Sequence, residues 1–399
     1  MSVPGRAAAQ AVQDPLDLLD VDADLDVTQR QVRDTVATLV RERLEPQLAG
    51  WYEAGTLPVR ELARELGDLG LLGMHLHGYG CAGMDAVAYG VACRELEAGD
   101  SGLRSFVSVQ GSLAMFALHA FGSDEQKDAW LPRMATGEAI GCFGLTEADS
   151  GSDPASMRTR ARRDGDDWVL DGSKAWITNG SVADVAVVWA RCDDDRVRGF
   201  VVPTDTPGFT ASDVPRKLSL RASVTSELVL DGVRLPKDAA LPGVASMRGP
   251  LTCLSEARYG IVWGVTGAAR RCVEAALDHA ATREQFDRPI AAFQLTQQKL
   301  VEMTVRLQHG MLLAQRLGRL KDAGEASAAR ISLGKLANVR DALWVAREAR
   351  SVLGASGVTL DYPVMRHLAN LESVFTYEGT HEIHTLIVGE ALTGIRAFA

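Results

Sequence analysis

The sequence predicts an α+β protein of several domains, in which two helical regions flank a β-rich one. Apolar residues recur at three- and four-residue intervals up to about residue 142 and again from residue 252 onward, which is the spacing of amphipathic helices. Between residues 143 and 245, short β-branched and aromatic runs alternate with Asp-Gly steps, which is typical of strands and turns. We therefore predict domains at residues 1–142, 143–247 and 248–399.

Composition and charge narrow the class of protein. The chain has 399 residues, of which 46% are hydrophobic, so two or three domains can each bury a core. A net charge of -10 without a basic stripe argues against nucleic acid as a partner. No apolar run approaches the ~20 residues that a membrane helix needs, and the N-terminus fits neither a secretory signal nor a transit peptide. Six scattered cysteines without a C-x-x-C pair suit a reduced compartment, so we expect a cytoplasmic protein.

The N-terminal region is predicted to be a tail followed by helices. Residues 1–25 have the composition of a loose tail, and a helix begins near Thr28, where Gln31 is placed to complete a capping box. Further helices are predicted at residues 59–69, 84–99 and 102–121.

A glycine-rich stretch at residues 78–83 matches the pattern G-x-G-x-x-G. We do not interpret it as a dinucleotide-binding motif, because the preceding segment is helical and the βαβ context is missing. A loop between helices is the better prediction.

Arg104 is a charged residue in the otherwise apolar helix predicted at residues 102–121. No acidic residue follows it at the next helical positions. It either forms an ion pair with Asp100 or Glu97, or binds an anionic ligand. The residue pattern alone leaves both interpretations open.

The β region is predicted to contain two hairpins. In the first, Asp171-Gly172 joins strands at residues 168–170 and 173–178, and in the second, Asp231-Gly232 joins strands at residues 227–230 and 233–235. Together with short buried strands near residues 186–190 and 199–202, they indicate a small β-barrel or sandwich.

The entry to this region, residues 142–153, is rich in hydroxyls and glycines and poor in bulky side chains. Such a loop suits hydrogen bonds to a polar heterocycle and a phosphate, although an ordinary Ser/Gly turn cluster has the same composition. Trp176-Ile177-Thr178 would add an aromatic wall and a further hydroxyl at a strand end.

The C-terminal region is predicted to consist of long helices. Arg283 and Gln294 flank Phe286 in the turn between the first two, where the arginine either binds a pyrophosphate or is solvated. His381 and His384 have a spacing that suits a metal, but no further ligands cluster with them, so no metal is expected. The helices are predicted at residues 252–281, 292–322, 326–353, 364–374 and 382–397.

Glu378 lies in a short break between the last two of these helices, with an aromatic residue before it and Gly379 after it. A carboxylate in such a break is partly desolvated, which raises its pKa toward the range of a general base. Gly379 would leave room for a ligand near the backbone. Alternatively, Glu378 caps the following helix, and the residues alone do not decide between the two roles.

Four motifs together resemble the acyl-CoA dehydrogenase family, and within it the glutaryl-CoA branch, along nearly the whole chain. The motifs are DSGLRS at residues 100–105, GCFGLTE at 141–147 followed by GSD at 151–153, LSEARYGIVWG at 254–264, and TYEGTHEIH at 376–384.

The resemblance implies a helical N-terminal domain, a middle β-barrel and a C-terminal four-helix bundle. It also implies FAD bound partly across the subunit interface of a homotetramer, an acyl-CoA substrate, and an electron-transfer flavoprotein as acceptor. The activity implied is the oxidative decarboxylation of glutaryl-CoA to crotonyl-CoA and CO2.

The resemblance also implies roles for individual residues. Glu378 matches the catalytic base, and Arg104 matches the residue that receives the γ-carboxylate of the substrate. Substrate contacts are implied for Arg104, Ser105, Glu97, Ser152, Arg258, Tyr259, Tyr377 and Gly379. FAD contacts are implied for Phe143, Leu145, Thr146, Gly151, Ser152, Trp176, Ile177, Thr178, Arg283, Phe286, Gln294, Gly354, Thr380 and Glu382.

Two positions depart from the family pattern: Leu103 stands where the branch often has Tyr, and Ala355 interrupts a Gly-Gly-x-Gly run. Three rival functions remain open at this point. They are dehydrogenation of another short acyl-CoA without decarboxylation, an oxidase, and a flavin or acyl-CoA binding protein without turnover.

Overall fold

The computed structural model describes residues 14–397 and contains a helical region, a curled sheet and a second helical region, in that order. This arrangement confirms the α+β fold class. The sheet surrounds an apolar core of its own, while the buried residues of the N-terminal helices form one core with β1 and the first long C-terminal helix.

From residue 14 onward, the N-terminal region contains seven α-helices. The segments 39–44 and 109–115 are π-helical and join helices into longer rods. The apolar pattern of the first predicted helix extends to Val40, and neither the helical residues from there to Ala54 nor the helix after residue 123 was predicted. The helices are α1 (Val27–Thr38), α2 (Glu45–Ala54), α3 (Val59–Asp68), α4 (Ala86–Gly99), α5 (Ser101–Ser108), α6 (Phe116–Phe121) and α7 (Asp124–Ala135).

The prediction of a loose tail is wrong for residues 14–25, while residues 1–13 lie outside the described part of the chain. Val21 and Leu25 are buried, and the Asp22 carboxylate lies 2.7 Å from the guanidinium of Arg94. The capping box at the start of α1 also differs from the prediction, which placed it at Thr28 and Gln31. Asp26 caps this helix instead, by accepting a hydrogen bond from the backbone N–H of Gln29.

The middle region is a seven-stranded sheet with the order β1-β4-β2-β3-β7-β6, and β5 pairs with β4. The N-terminal strand β1 runs parallel to β4. The strands are β1 (Gly141–Gly144), β2 (Arg160–Asp164), β3 (Asp167–Thr178), β4 (Val185–Cys192), β5 (Val197–Pro203), β6 (Phe209–Asp213) and β7 (Thr225–Leu235).

Both predicted hairpins are wrong. Asp171-Gly172 lies inside β3 and Asp231-Gly232 lies inside β7, and these two long strands pair with each other. The pairing register shifts where the two Asp-Gly steps face each other, and Asp171 Oδ1 accepts a hydrogen bond from the N–H of Gly232 at 2.8 Å. The steps therefore form an irregularity in the β3–β7 ladder instead of two turns.

The C-terminal helices confirm the predicted positions to within a few residues. A short hairpin, β8 (Glu284–Gln285) with β9 (Arg288–Pro289), follows the first of them. The helices are α8 (Arg248–Thr282), α9 (Gln294–Asp322), α10 (Ala328–Val352), α11 (Val364–Thr376) and α12 (His381–Thr393). Throughout residues 14–397, each helix is too short or too polar to span a bilayer.

Candidate active site

Glu378 lies in the short break between α11 and α12. Tyr377 ends α11, and Thr380 caps α12 by accepting a hydrogen bond from the backbone N–H of Ile383. Glu378 is therefore not the helix cap, which excludes the alternative that the residues left open. Its backbone has a φ of 51°, a left-handed conformation that is unfavourable for glutamate and that is often found at functional sites.

Arg104 is fully buried on α5 and reaches the same break. Its Nε donates a hydrogen bond to Glu97 Oε2 at 2.7 Å, and its Nη2 donates to the hydroxyl of Tyr377. Ser101 Oγ donates to the other oxygen of Glu97 at 2.8 Å. The ion-pair interpretation is thus confirmed for Glu97, whereas Asp100 pairs with Arg366 instead.

The Nη1 atom of Arg104 is buried and has no hydrogen-bond partner among residues 14–397. The Oε2 atom of Glu378 is likewise buried without a partner in this part of the chain. Because buried polar atoms are normally hydrogen-bonded, a donor and an acceptor left free at one site indicate that a ligand completes it.

Lys335 and Arg258 bind the backbone around Glu378. Lys335 Nζ, from α10, donates to the carbonyls of Tyr377 and Gly379, the latter at 2.7 Å. Arg258 Nε, from α8, donates to the carbonyl of Glu378 at 2.7 Å. The resemblance implied a substrate contact for Arg258, and no role was predicted for Lys335, because the carbonyls that it binds lie more than 40 positions further along the chain.

Burial and charge act in opposite directions on Glu378. Burial raises the pKa of its carboxyl, while the positive charges of Arg104, Lys335 and Arg258 act to lower it, and the net shift is upward. Burial also lowers the pKa of Lys335 to about 7, although the charge of Glu378 opposes that change. A carboxylate with a raised pKa and a free oxygen is suited to accept a proton from a weak carbon acid.

Gly379 packs tightly against neighbouring side chains. A Cβ at this position, where φ is 96°, would lie 2.8 Å from His384 Nε2 and 3.1 Å from an Arg258 Nη atom. His384 Nδ1 lies 2.9 Å from Ser332 Oγ. Glycine is therefore required here because protein atoms approach it closely. This reason differs from the room for a ligand that the sequence suggested.

No group of three His, Cys, Asp or Glu residues suited to a metal occurs in residues 14–397.

The loop that follows β1 is fixed by a buried ion pair. Lys174 Nζ, on β3, lies 2.8 Å from Glu147 Oε1 and donates to the carbonyl of Leu145 at 3.1 Å. Glu147 also accepts hydrogen bonds from the backbone and hydroxyl of Thr159, at 3.0 and 2.6 Å. The loop is therefore an ordered part of the domain.

Trp176 lies on β3 beside this loop. Its backbone has a φ of 62°, 64% of the residue is exposed, and the preceding residue donates its N–H to the carbonyl of Thr146 at 2.9 Å. An exposed indole near the hydroxyls of Thr146 and Thr178 fits a planar, polar heterocycle such as a flavin. Of the other residues assigned to this loop and strand, Phe143, Leu145 and Ile177 are buried, and Gly151 and Ser152 are exposed.

The structure does not bring all the predicted residues together. Glu378, Arg104, Glu97, Tyr377, Gly379 and Arg258 are joined directly by the contacts above. Tyr259 is buried in the core, where its hydroxyl donates to the carbonyl of Ala86 at 2.7 Å, and Ser105 is buried on α5. The assigned residues that lie exposed on the surface of the chain are Arg283, Phe286, Gln294, Gly354 and Glu382.

Comparison with known proteins identifies the family. The family models for the N-terminal, middle and C-terminal domains of acyl-CoA dehydrogenase match residues 26–138, 142–233 and 247–393. The human mitochondrial short-chain specific acyl-CoA dehydrogenase is 34% identical over 382 residues, covering 94% of this chain and 92% of that protein. The chain belongs to the acyl-CoA dehydrogenase family and is an FAD-dependent enzyme of that family.

Two solved structures are more similar still. A crystal structure of glutaryl-CoA dehydrogenase from Mycobacterium smegmatis is 68% identical, has a TM-score of 0.96, and the match covers 97% of this chain and 100% of that one. A second structure of a glutaryl-CoA dehydrogenase from Mycobacterium smegmatis, in complex with FADH2, is 62% identical with a TM-score of 0.95, over 96% and 99% of the two chains.

Proposed function

We propose that this enzyme converts glutaryl-CoA to crotonyl-CoA and CO2. The observation that carries this proposal is the buried Nη1 donor of Arg104, which has no partner among residues 14–397 although the other two nitrogens are occupied. A buried guanidinium with one free N–H edge suits a carboxylate on the substrate, because charge-assisted hydrogen bonds are the strongest available there. The similarity to two glutaryl-CoA dehydrogenases supports the same substrate.

The charges of the site support an anionic acyl group. Arg104, Arg258 and Lys335 bring three buried basic groups to the break, and Glu97 and Glu378 bring two carboxyl groups. A terminal carboxylate on the substrate would place a negative charge beside Arg104, where one buried guanidinium N–H is free. Glu97 and the Tyr377 hydroxyl fix the guanidinium so that its orientation is set before the substrate arrives.

Glu378 acts as the base in the first stage. Its free carboxylate oxygen removes a proton from the α-carbon of the thioester, and the raised pKa of the group favours that transfer. FAD, when bound, supplies the acceptor for the hydride that leaves the β-carbon. Thr146, Trp176 and Thr178 are the residues that would contact its ring, beside the loop fixed by Glu147 and Lys174.

The second stage is loss of CO2. The dehydrogenated product, glutaconyl-CoA, carries its carboxylate at the γ-carbon, in conjugation with the thioester. Breaking the bond to CO2 leaves a dienolate that the thioester stabilises, and a proton returned by Glu378 gives crotonyl-CoA. Arg104 orients the carboxylate until the bond breaks.

The assembly belongs to the same proposal. Arg283, Phe286 and Gln294 are exposed around the β8–β9 hairpin and the start of α9, and Phe286 is 87% exposed. Such a surface fits contact with the FAD of a neighbouring subunit in a homotetramer. Electrons would then pass to an electron-transfer flavoprotein.

Substitution of Arg104 tests the substrate. The single variant Arg104→Gln would leave the buried carboxylate of Glu97 without its cation. The double variant Arg104→Gln/Glu97→Gln avoids this, because it removes both charges of the ion pair. For the double variant we expect kcat/KM for glutaryl-CoA to fall about 10- to 100-fold, the value of a lost charge-assisted hydrogen bond, and that for butyryl-CoA to change less than about threefold. Equal losses on the two substrates would contradict the carboxylate site and favour dehydrogenation of a neutral short acyl-CoA.

A further inference from the structure

We propose that Lys335 is a positioning residue for proton transfer: together with Arg258 it fixes the backbone of Glu378 so that the carboxylate meets the α-proton of the substrate. This inference rests on the proposed role of Glu378 as the base. The two cations and the three carbonyls that they bind are called the backbone clamp below.

The backbone clamp binds three consecutive carbonyl oxygens. Lys335 donates to the carbonyls of Tyr377 and Gly379, and Arg258 donates to the carbonyl of Glu378 between them. The cations come from different helices, α10 and α8, and both are buried. The peptide groups on either side of the base are therefore fixed from two directions.

The conformation of the base explains why such fixation matters. Glu378 has a φ of 51° and Gly379 a φ of 96°, and the left-handed region is unfavourable for glutamate. Such a backbone persists only where the surroundings fix it. Rotation of this peptide would move the carboxylate, and a misplacement of about 1 Å is enough to reduce a rate about 100-fold.

The hydrogen bonds of Lys335 argue against a purely structural ion pair. In residues 14–397, its side-chain hydrogen bonds go to these two carbonyls and to no carboxylate. A buried ammonium that binds only carbonyls is costly for stability, and the contacts that it makes flank one residue. The arrangement fits a role at Glu378 better than a general role in the bundle.

Proton transfer can be measured apart from hydride transfer with acetyl-CoA, which has α-protons but no β-carbon. The holoenzyme in D2O should exchange these protons through Glu378. For Lys335→Met we expect the exchange rate and the kcat for butyryl-CoA to fall about 100-fold, with KM changed less than about threefold and FAD retained. Lys335→Gln, which keeps neutral N–H donors, should recover at least part of the lost rate.

Lys217→Met is the matched control. Lys217 also donates to two backbone carbonyls, those of Leu220 and Ser223 at 2.8 and 2.6 Å, but in a loop of the middle domain. It should lower the thermal midpoint without changing the exchange rate. An exchange rate at the wild-type level in Lys335→Met, or in Lys335→Leu where the Met variant does not fold, would overturn the proposal, because neither side chain has an N–H donor. Glu378→Gln separates the two claims, since exchange that survives in that variant would refute the base itself.

Discussion

Glu378 combines three local properties that a proton acceptor needs: a buried carboxylate, a free oxygen and a fixed backbone. Burial removes the water that would stabilise the charge, and Arg104, Lys335 and Arg258 restore part of that stabilisation. The balance between burial and charge at Glu378 is thus set by residues from three separate helices.

Replacing Glu378 with Gln should greatly reduce turnover while FAD stays bound, because the amide cannot accept the α-proton and nearly conserves the volume. We expect kcat to fall by a factor of about 100 to 10,000, the usual contribution of a general base. Steady-state kinetics and the visible flavin spectrum measure the two effects. Turnover near the wild-type level would remove Glu378 from the mechanism.

The pH dependence should report the same carboxylate. Its pKa is raised, so kcat/KM for butyryl-CoA should fall on the acid side at a higher pH than an ordinary glutamate would give. The charge of Arg104 lowers the pKa of Glu378, and the charge of Glu97 raises it. The variant Arg104→Gln/Glu97→Gln removes both charges, so their effects on the pKa of Glu378 partly cancel. Arg104→Lys, which keeps the charge, should leave the acid limb in place, and pH profiles of the three proteins make the comparison.

At the residue scale, the sequence was informative where a motif was contiguous. Residues 376–384 identified Glu378, Tyr377 and Gly379 because they are adjacent in the chain. Lys335 lies 42 positions before Tyr377 and could not be predicted, since only the packing of α10 brings it to that break.

At the scale of secondary-structure elements, the loop after β1 depends on the ion pair between Glu147 and Lys174. Burial raises the pKa of Glu147, but hydrogen bonds from Lys174 and Thr159 outweigh it and leave the pKa at about 2. Because the folded-state pKa is depressed, this contribution to stability is present above the ordinary range of a glutamate and is lost as the pH falls toward 2.

Lys174→Met should therefore destabilise the middle domain by about 3–5 kcal/mol, because it leaves the buried Glu147 carboxylate without its cation. We also expect weaker FAD retention, since the loop carries Thr146. Urea unfolding and flavin content measure these effects. The exposed pair of Arg158 and Asp149 offers the control, as Arg158→Met should cost no more than about 1 kcal/mol. Similar losses from both variants would contradict the account of the loop.

The elements differ in how well the sequence predicted them. The long C-terminal helices could be placed because one face of each is apolar over many turns. The Asp-Gly steps of β3 and β7 were misinterpreted as turns, because the chemistry that favours a tight turn also favours an irregularity inside a long strand. The ordered segment after residue 13 escaped prediction because its partner, Arg94, is 72 positions away from Asp22.

At the scale of the whole molecule, α9 presents an apolar stripe to solvent. Val301, Val305 and Leu312 project from one side of the helix and are 59%, 43% and 44% exposed. An unpaired stripe of this kind suits contact with another copy of the chain. This stripe supports the proposed homotetramer. The fold class and the family of the chain could be predicted from its sequence, whereas the surfaces through which copies of the chain would meet could not.

A charge in this stripe should weaken the assembly. We expect the wild-type protein to have about four times the 42.8 kDa mass of one chain in light scattering, and Val305→Lys to shift the distribution toward smaller species. Val229→Lys, at a residue of β7 that is 47% exposed, is the control and should leave the mass unchanged. A wild-type mass of one chain would contradict the proposed tetramer.

The central claim is that this site oxidises and decarboxylates glutaryl-CoA. The most direct test is to incubate the wild-type holoenzyme with glutaryl-CoA and an artificial electron acceptor, and to identify the products by mass spectrometry, with butyryl-CoA in parallel. The account predicts crotonyl-CoA and CO2 in equal amounts, with weak activity on butyryl-CoA. Glutaconyl-CoA without CO2, or turnover of butyryl-CoA alone, would contradict it.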